Sequence, residues 1–89
     1  MIRSFEAPWV EDLYHGVYPD FFSSELCAKI LRLFDHLNTL TDLNAIKIPG
    51  VDNFERFSQG RWSLMVDSEW RLVFKWFEND VYNLDLMHL

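Results

Sequence analysis

Arg61, Arg71 and Lys75 are the residues of this chain whose types and spacing best suit a chemical task. A guanidinium offers a planar fork of donors that can give two parallel hydrogen bonds to a phosphate oxygen pair, and it stays protonated at any physiological pH. All three cations sit at odd positions in a segment where apolar and polar residues alternate, so folded as strands they share one side of a sheet. The other reactive types form weaker sets. His15 and His36 lie on different predicted helices with no paired spacing for a metal. Ser23-Ser24 reads as a helix cap rather than a nucleophile, and Cys27 falls inside a predicted helix. A glycine loop for phosphate and a dinucleotide fingerprint are both missing from the sequence.

The elements that must carry these cations follow from the hydrophobic period. After residue 51, Trp62, Leu64 and Val66 alternate with Arg61, Ser63, Met65 and Asp67. Trp70, Leu72, Phe74 and Trp76 alternate with Arg71, Val73, Lys75 and Phe77, and Tyr82, Leu84 and Leu86 with Val81, Asn83, Asp85 and Met87. Three strands result, each with one apolar face. A one-residue slip turns every side chain over, so matching the faces sets the register. A three-residue loop at Asp67–Glu69 pairs Val66 with Trp70, Leu64 with Leu72 and Trp62 with Phe74. A second at Glu78–Asp80 pairs Trp76 with Tyr82, Phe74 with Leu84 and Leu72 with Leu86. The opposite face then sets Arg61 against Lys75, Lys75 against Asn83, Val73 against Asp85 and Arg71 against Met87. Such a face is also what any two-layer α+β domain turns to solvent.

Two helices precede the strands. Pro8 stands at a first turn, Trp9, Val10, Leu13 and Tyr14 follow at helical spacing, and Gly16 stops the helix. Ser23 or Ser24 caps the second, in which Leu26, Ile30, Leu33, Phe34, Leu37 and Leu40 make one apolar stripe. Thr41-Asp42-Leu43 reads as its last turn, and Pro49-Gly50 breaks the chain. Ile2–Phe5 reads as a short edge strand. The expected fold is α+β, two N-terminal helices packed on one face of an antiparallel sheet, in a single domain over residues 1–89.

Composition bounds the function. Hydrophobic residues are 49% of the 89 and aromatics 17%, which excludes a disordered or low-complexity chain. The one cysteine excludes an internal disulfide and a multi-cysteine zinc site, suiting a reducing compartment. No apolar run exceeds three residues, so a membrane span and a secretory segment are not expected and a cytoplasmic location is. The formal charge of −6 has the wrong sign for a general nucleic-acid binder. Contact with RNA needs a local cation cluster, and residues 45–89, with five basic groups against three in residues 1–44, are where it would be.

The order of these pieces resembles a known family. Ile2-Arg3-Ser4-Phe5 leads into a short helix ending at Gly16, and the long helix closes with Leu40-Thr41-Asp42-Leu43. Trp62-Ser63-Leu64, Trp70-Arg71-Leu72-Val73-Phe74 and Tyr82-Asn83-Leu84-Asp85 follow. The chain resembles the HigB "killer protein" branch of the RelE/ParE toxin superfamily from Ile2 to about Leu86, most specifically in the W-R-[IL]-x-F hairpin after a W-S-[IL] strand. The resemblance implies a type II toxin that cleaves mRNA in the ribosomal A site and is held in a complex by a HigA-like helix-turn-helix antitoxin. It implies no metal or other cofactor and no membrane.

By the same resemblance Arg71 faces the scissile phosphate. Cleavage by the ribose 2′-hydroxyl passes through a phosphorane with extra negative charge, and needs a base, an acid and a cation. Where relatives carry a His and a Lys after the long helix, this chain has Phe54-Glu55-Arg56-Phe57-Ser58, and the familiar Asp-Tyr-His ending is replaced by Leu86-Met87-His88-Leu89. Glu55 and His88 are therefore the candidate base and acid, although the register puts His88, opposite Trp70, on the helix-covered side. Arg56, Arg61 and Lys75 are candidates for holding the RNA backbone. Two other readings remain: a RelE-fold module that is catalytically weak or inactive and acts by binding its antitoxin, and a gyrase inhibitor as in the ParE branch. The W-R hairpin favours the HigB side over the latter.

Overall fold

A computed structural model describes residues 1–41 and 55–88 of the chain. In it two helices, α1 (Pro8–Tyr14) and α2 (Ser24–Thr39), precede a four-stranded antiparallel sheet of β1 (Glu55–Phe57), β2 (Arg61–Met65), β3 (Trp70–Phe77) and β4 (Asp80–His88). The strands lie in sequence order across the sheet. The expected α+β fold is thus present, with one strand more than the alternation revealed.

The helix ends follow their local chemistry. Pro8 opens α1, where a missing N–H costs nothing, and Gly16 beyond its end takes φ +90°, a conformation open to residues without a Cβ. Ser23 caps α2, its Oγ accepting from the Leu26 N–H at 3.1 Å. The helix ends sooner than its stripe suggests. Leu40 is extended (φ −68°, ψ 126°), which carries its side chain into the core at 1% exposure, and Thr41 is a bend. Burial of that leucine outweighs one more helical turn. Asp42, Leu43, Pro49 and Gly50 lie outside the described residues.

Both helices bury their apolar sides on one face of the sheet. Val10 and Leu13 from α1 meet Ile30, Leu33, Phe34 and Leu37 from α2 and Leu64, Leu72, Phe74, Val81, Leu84 and Leu86 from the strands. Truncating a leucine at such a depth costs about 2–5 kcal/mol. Asn38 of α2 adds a polar tie, accepting from the Ile2 N–H at 2.9 Å and donating to the Tyr14 hydroxyl at 2.6 Å.

The β2–β3 register is the expected one: Trp62 faces Phe74 and Leu64 faces Leu72. Asp67 stabilises the loop, its Oδ1 accepting from the N–H groups of Glu69 and Trp70. At β3–β4 the expectation holds for one half only. Leu72 faces Leu86, Val73 faces Asp85 and Arg71 faces Met87. Nearer the turn, however, Trp76 faces Val81 and Lys75 faces Tyr82, one residue off the expected Trp76–Tyr82 and Lys75–Asn83 pairs. Two devices explain the difference. The loop is Glu78-Asn79 alone, both at positive φ (48° and 65°), which matches the twist of paired strands. The slip is then absorbed by a bulge, where Phe74 meets both Asn83 and Leu84 and Asn83 takes φ 54°. As a result Val81 is buried in the core and Tyr82 moves to the opposite face.

The N-terminal segment runs along β4, parallel to it, as two bridges rather than a continuous strand: Ile2 to Val81 and Phe5 to Leu84. The bulge prevents continuous pairing. The N–H it leaves out of the ladder is taken up instead, the Asn83 amide donating to Ser4 Oγ at 2.8 Å, while the Asn83 side-chain Nδ2 donates to Glu6 Oε2 at 2.8 Å. Asp80 fixes the start of the same segment, pairing with Arg3 Nε at 3.0 Å and the Met1 ammonium at 3.2 Å. No helix among the described residues is long and apolar enough to cross a membrane.

Candidate functional site

The sheet face away from the helices is built in three rows, because paired residues of antiparallel strands point the same way. One row holds Phe57, Arg61, Lys75 and Tyr82; the next holds Glu55, Ser63, Val73 and Asp85; the last holds Met65, Arg71 and Met87. The expected convergence of Arg61, Arg71 and Lys75 on one surface is observed.

This face is not a plain solvated one. Val73 is fully buried yet stands apart from the helix-side core, and Ser63 is only 5% exposed. Arg71 is half-buried, and its guanidinium carbon lies 5.5 Å from the centre of the Phe57 ring. To reach from β3 to a ring on β1 its side chain must cross the middle row, over β2. The Arg61 guanidinium lies 5.0 Å from the same ring. Phe57 is therefore a shared rest for two cations, each contact worth about 0.5–2 kcal/mol according to how dry it is.

The two arginines differ in what else they touch. Arg61 Nε donates to the Ser58 carbonyl at 3.1 Å and its Nη2 to Ser58 Oγ at 3.1 Å, so it braces the Ser58–Gly60 turn in which Gln59 and Gly60 take positive φ. Arg71 Nε is buried and has no hydrogen-bond partner among the described residues. A buried, unsatisfied donor costs on the order of 1–3 kcal/mol, and more when it is charged, so an anion seated beside it would recover that cost.

The remaining candidates are divided between faces. Glu55 shares the cation face, opposite Ser63, and is exposed. Arg56 does not: it pairs with Trp62 and its guanidinium lies 5.1 Å from that indole, on the helix side. His88 faces Trp70, with ring centres 4.8 Å apart, in an aromatic group with Trp9 and Phe22. It too is on the helix side, away from Arg71. Lys75 is exposed. Among the described residues no group of three or more His, Cys, Asp or Glu could hold a metal ion.

Phe57 and Tyr82 were not singled out by the sequence as site residues. Phe57 had a legible place beside two arginines only once β1 was known, and Tyr82 read as a core residue because its alternation matched Leu84 and Leu86.

No curated protein matches the chain. Residues 3–88 match the HigB-like toxin family, described as the RelE-like toxin of type II toxin-antitoxin system HigB. With two helices on an antiparallel sheet and that match over nearly its whole length, the chain belongs to the HigB-like family of type II toxins, proteins that act opposite an antitoxin.

Proposed function

We propose that this toxin is an endoribonuclease that cuts mRNA on the translating ribosome, in the cytoplasm, until a HigA-like helix-turn-helix antitoxin binds it. The observation that carries this reading is Arg71 Nε, a buried donor on the cation face without an acceptor among the described residues. In the reaction the ribose 2′-oxygen attacks the neighbouring phosphorus and the bond from phosphorus to the 5′-oxygen breaks, leaving a cyclic phosphate and a free 5′-hydroxyl. The 2′-proton passes to a base, for which Glu55 is the carboxylate beside Ser63 on the same face, and the departing 5′-oxygen takes its proton from solvent water. Arg71 stabilises the charge gathering on the phosphorane oxygens, and losing one such donor typically costs about 10²–10³ in rate. Arg61 and Lys75 hold the flanking backbone.

The acidic chain is compatible with this because charges are screened beyond about 8 Å at physiological salt. The cations therefore act locally, free RNA binds weakly and salt-sensitively, and the ribosome does the positioning. Nanomolar binding to free RNA at physiological salt would contradict this account. The direct test is induced expression: the wild type arrests growth and cuts transcripts only during translation, and Arg71→Ala relieves both. Arrest undiminished in Arg71→Ala refutes the mechanism.

One observation favours a second reading, a binding module with little or no catalysis. His88 packs on Trp70 away from Arg71, so it is not positioned as the acid. Absence of toxicity in the wild type, with a tight complex formed by the neighbouring gene product, would decide for that reading.

A further inference from the structure

Beyond Arg71 along β3, the cation face ends in an open groove of about 400 Å³ lined by Gly60, Lys75, Trp76, Phe77, Tyr82 and Asn83. Two of its aromatic rings belong to the cation face. Phe77 is 62% exposed at the hairpin tip, and Tyr82 stands opposite Lys75. The two rings meet edge-on, with centres 6.4 Å apart and planes at 61°, an arrangement that leaves ring faces open. Neither ring belongs to the helix-side core. Tyr82 reaches this face only because of the bulge at Asn83, a local departure that re-aims one side chain.

We propose that this groove is a nucleobase subsite for the substrate strand, with Tyr82 and Phe77 as stacking surfaces and Lys75 as the contact to the adjoining phosphate. The proposal rests on the reading of the protein as an RNA-cutting toxin and extends it to a part of the strand away from the cut. Exposed aromatic rings beside cations are how proteins hold single-stranded nucleic acid with little regard to sequence. The groove is continuous with the row of Phe57 and Arg61, and Lys75 lies four residues from Arg71 on the same strand and face, about 13 Å along it. A strand whose scissile phosphate meets Arg71 can therefore pass the groove a few nucleotides further on. An acidic peptide would meet Lys75 but gain little from the rings; a base with its phosphate uses both.

Two readouts separate this proposal from the reading beneath it. The first is cleavage of mRNA on programmed ribosomes. Stacking is worth on the order of tenfold to a hundredfold in affinity per base. Tyr82→Ala should lower cleavage about tenfold, mainly by raising KM, and Tyr82→Phe should restore it. One abasic nucleotide, at one position near the cut, should cost the wild type the same factor and cost Tyr82→Ala nothing more. The second readout needs no cleavage. Oligoribonucleotides carrying 2-aminopurine at successive positions, titrated at low salt, should be quenched by the wild type at one position and not by Tyr82→Ala.

Position-specific quenching without any cleavage would support the subsite and remove the nuclease reading. Arg71-dependent cleavage with no position-specific quenching, and with Tyr82→Ala and Phe77→Ala as active as the wild type, would overturn the subsite and leave the nuclease reading standing. Tyr82→Ala losses that simply add to those of every abasic position would also overturn it.

Discussion

Replacing Phe57 by leucine should weaken the toxin without unfolding it. Leucine keeps an apolar side chain of similar bulk at a half-buried position outside the main core, but it has no aromatic face for the guanidiniums 5.0 and 5.5 Å from the ring centre. Arg61 keeps its place, because its two hydrogen bonds to Ser58 remain. Arg71 does not, since its Nε has no such tie. A cation–π contact that is partly desolvated is worth about 1–2 kcal/mol, so the productive rotamer should lose roughly 5- to 30-fold in population. In single-turnover cleavage on programmed ribosomes, kcat/KM should fall by about that factor, and Phe57→Trp should retain activity because indole is the best cation–π partner. The melting temperature should fall as well, by about 4–16 °C, because the same 1–2 kcal/mol is lost from the folded state, while unfolding stays cooperative. If Phe57→Leu cleaves like the wild type while Arg71→Ala loses a hundredfold or more, the ring does not position the guanidinium and the argument fails.

Two further outcomes test the frame that holds this face. The hydrogen bond from Arg3 is the chief reason the Asp80 carboxyl lies below its ordinary value of 3.8; desolvation opposes it, and a hydrogen bond from the Met1 ammonium adds to the lowering. A carboxylate with a lowered folded pKa stabilises the protein above its unfolded value and loses that contribution as pH falls through the lowered one. Urea midpoints should therefore fall more steeply below pH 3.8 in the wild type than in Arg3→Gln, and equal acid limbs would refute the pairing. At Asn83, with φ 54°, valine should lower the melting temperature by about 4–8 °C per kcal/mol of strain, of which about 1–2 kcal/mol is expected. Glycine should cost less, losing only the bond to Glu6. A glycine variant less stable than the valine variant would show that the bulge is not strained.

What could be read in advance depended on how strongly each residue preferred one environment. Trp62, Leu64, Leu72 and Phe74 have no comfortable place in water, so their faces alone fixed the β2–β3 register, and Asp67 reinforced the loop. Tyr82 has such a place. An amphipathic ring satisfies either face, so strict alternation was the only guide, and the bulge at Asn83 broke it. The loop gave no warning, because Glu78 is an unusual residue for positive φ and Asn79 lacks the following glycine of the strongest hairpin signal. β1 escaped notice for a different reason: Glu55-Arg56-Phe57 is three residues long and has no repeating apolar face. The cation face was legible because Arg61, Arg71 and Lys75 inherit their side from the tryptophans and leucines between them. Its finer structure was not, since Phe57 joins the two arginines only through a strand too short to announce itself.

The clasp between the N-terminal segment and β4 has a consequence for how the protein is made. Ser4 and Asn83, which share a hydrogen bond, lie 79 residues apart, so Ser4 waits for this partner until residue 83 has been made. At ordinary rates of protein synthesis that interval is about 4–16 s. Closing so long a span must also precede any reward from the contacts it brings together. The nascent chain consequently cannot close this edge of its sheet until Val81 and Leu84, the partners of Ile2 and Phe5, have left the ribosome.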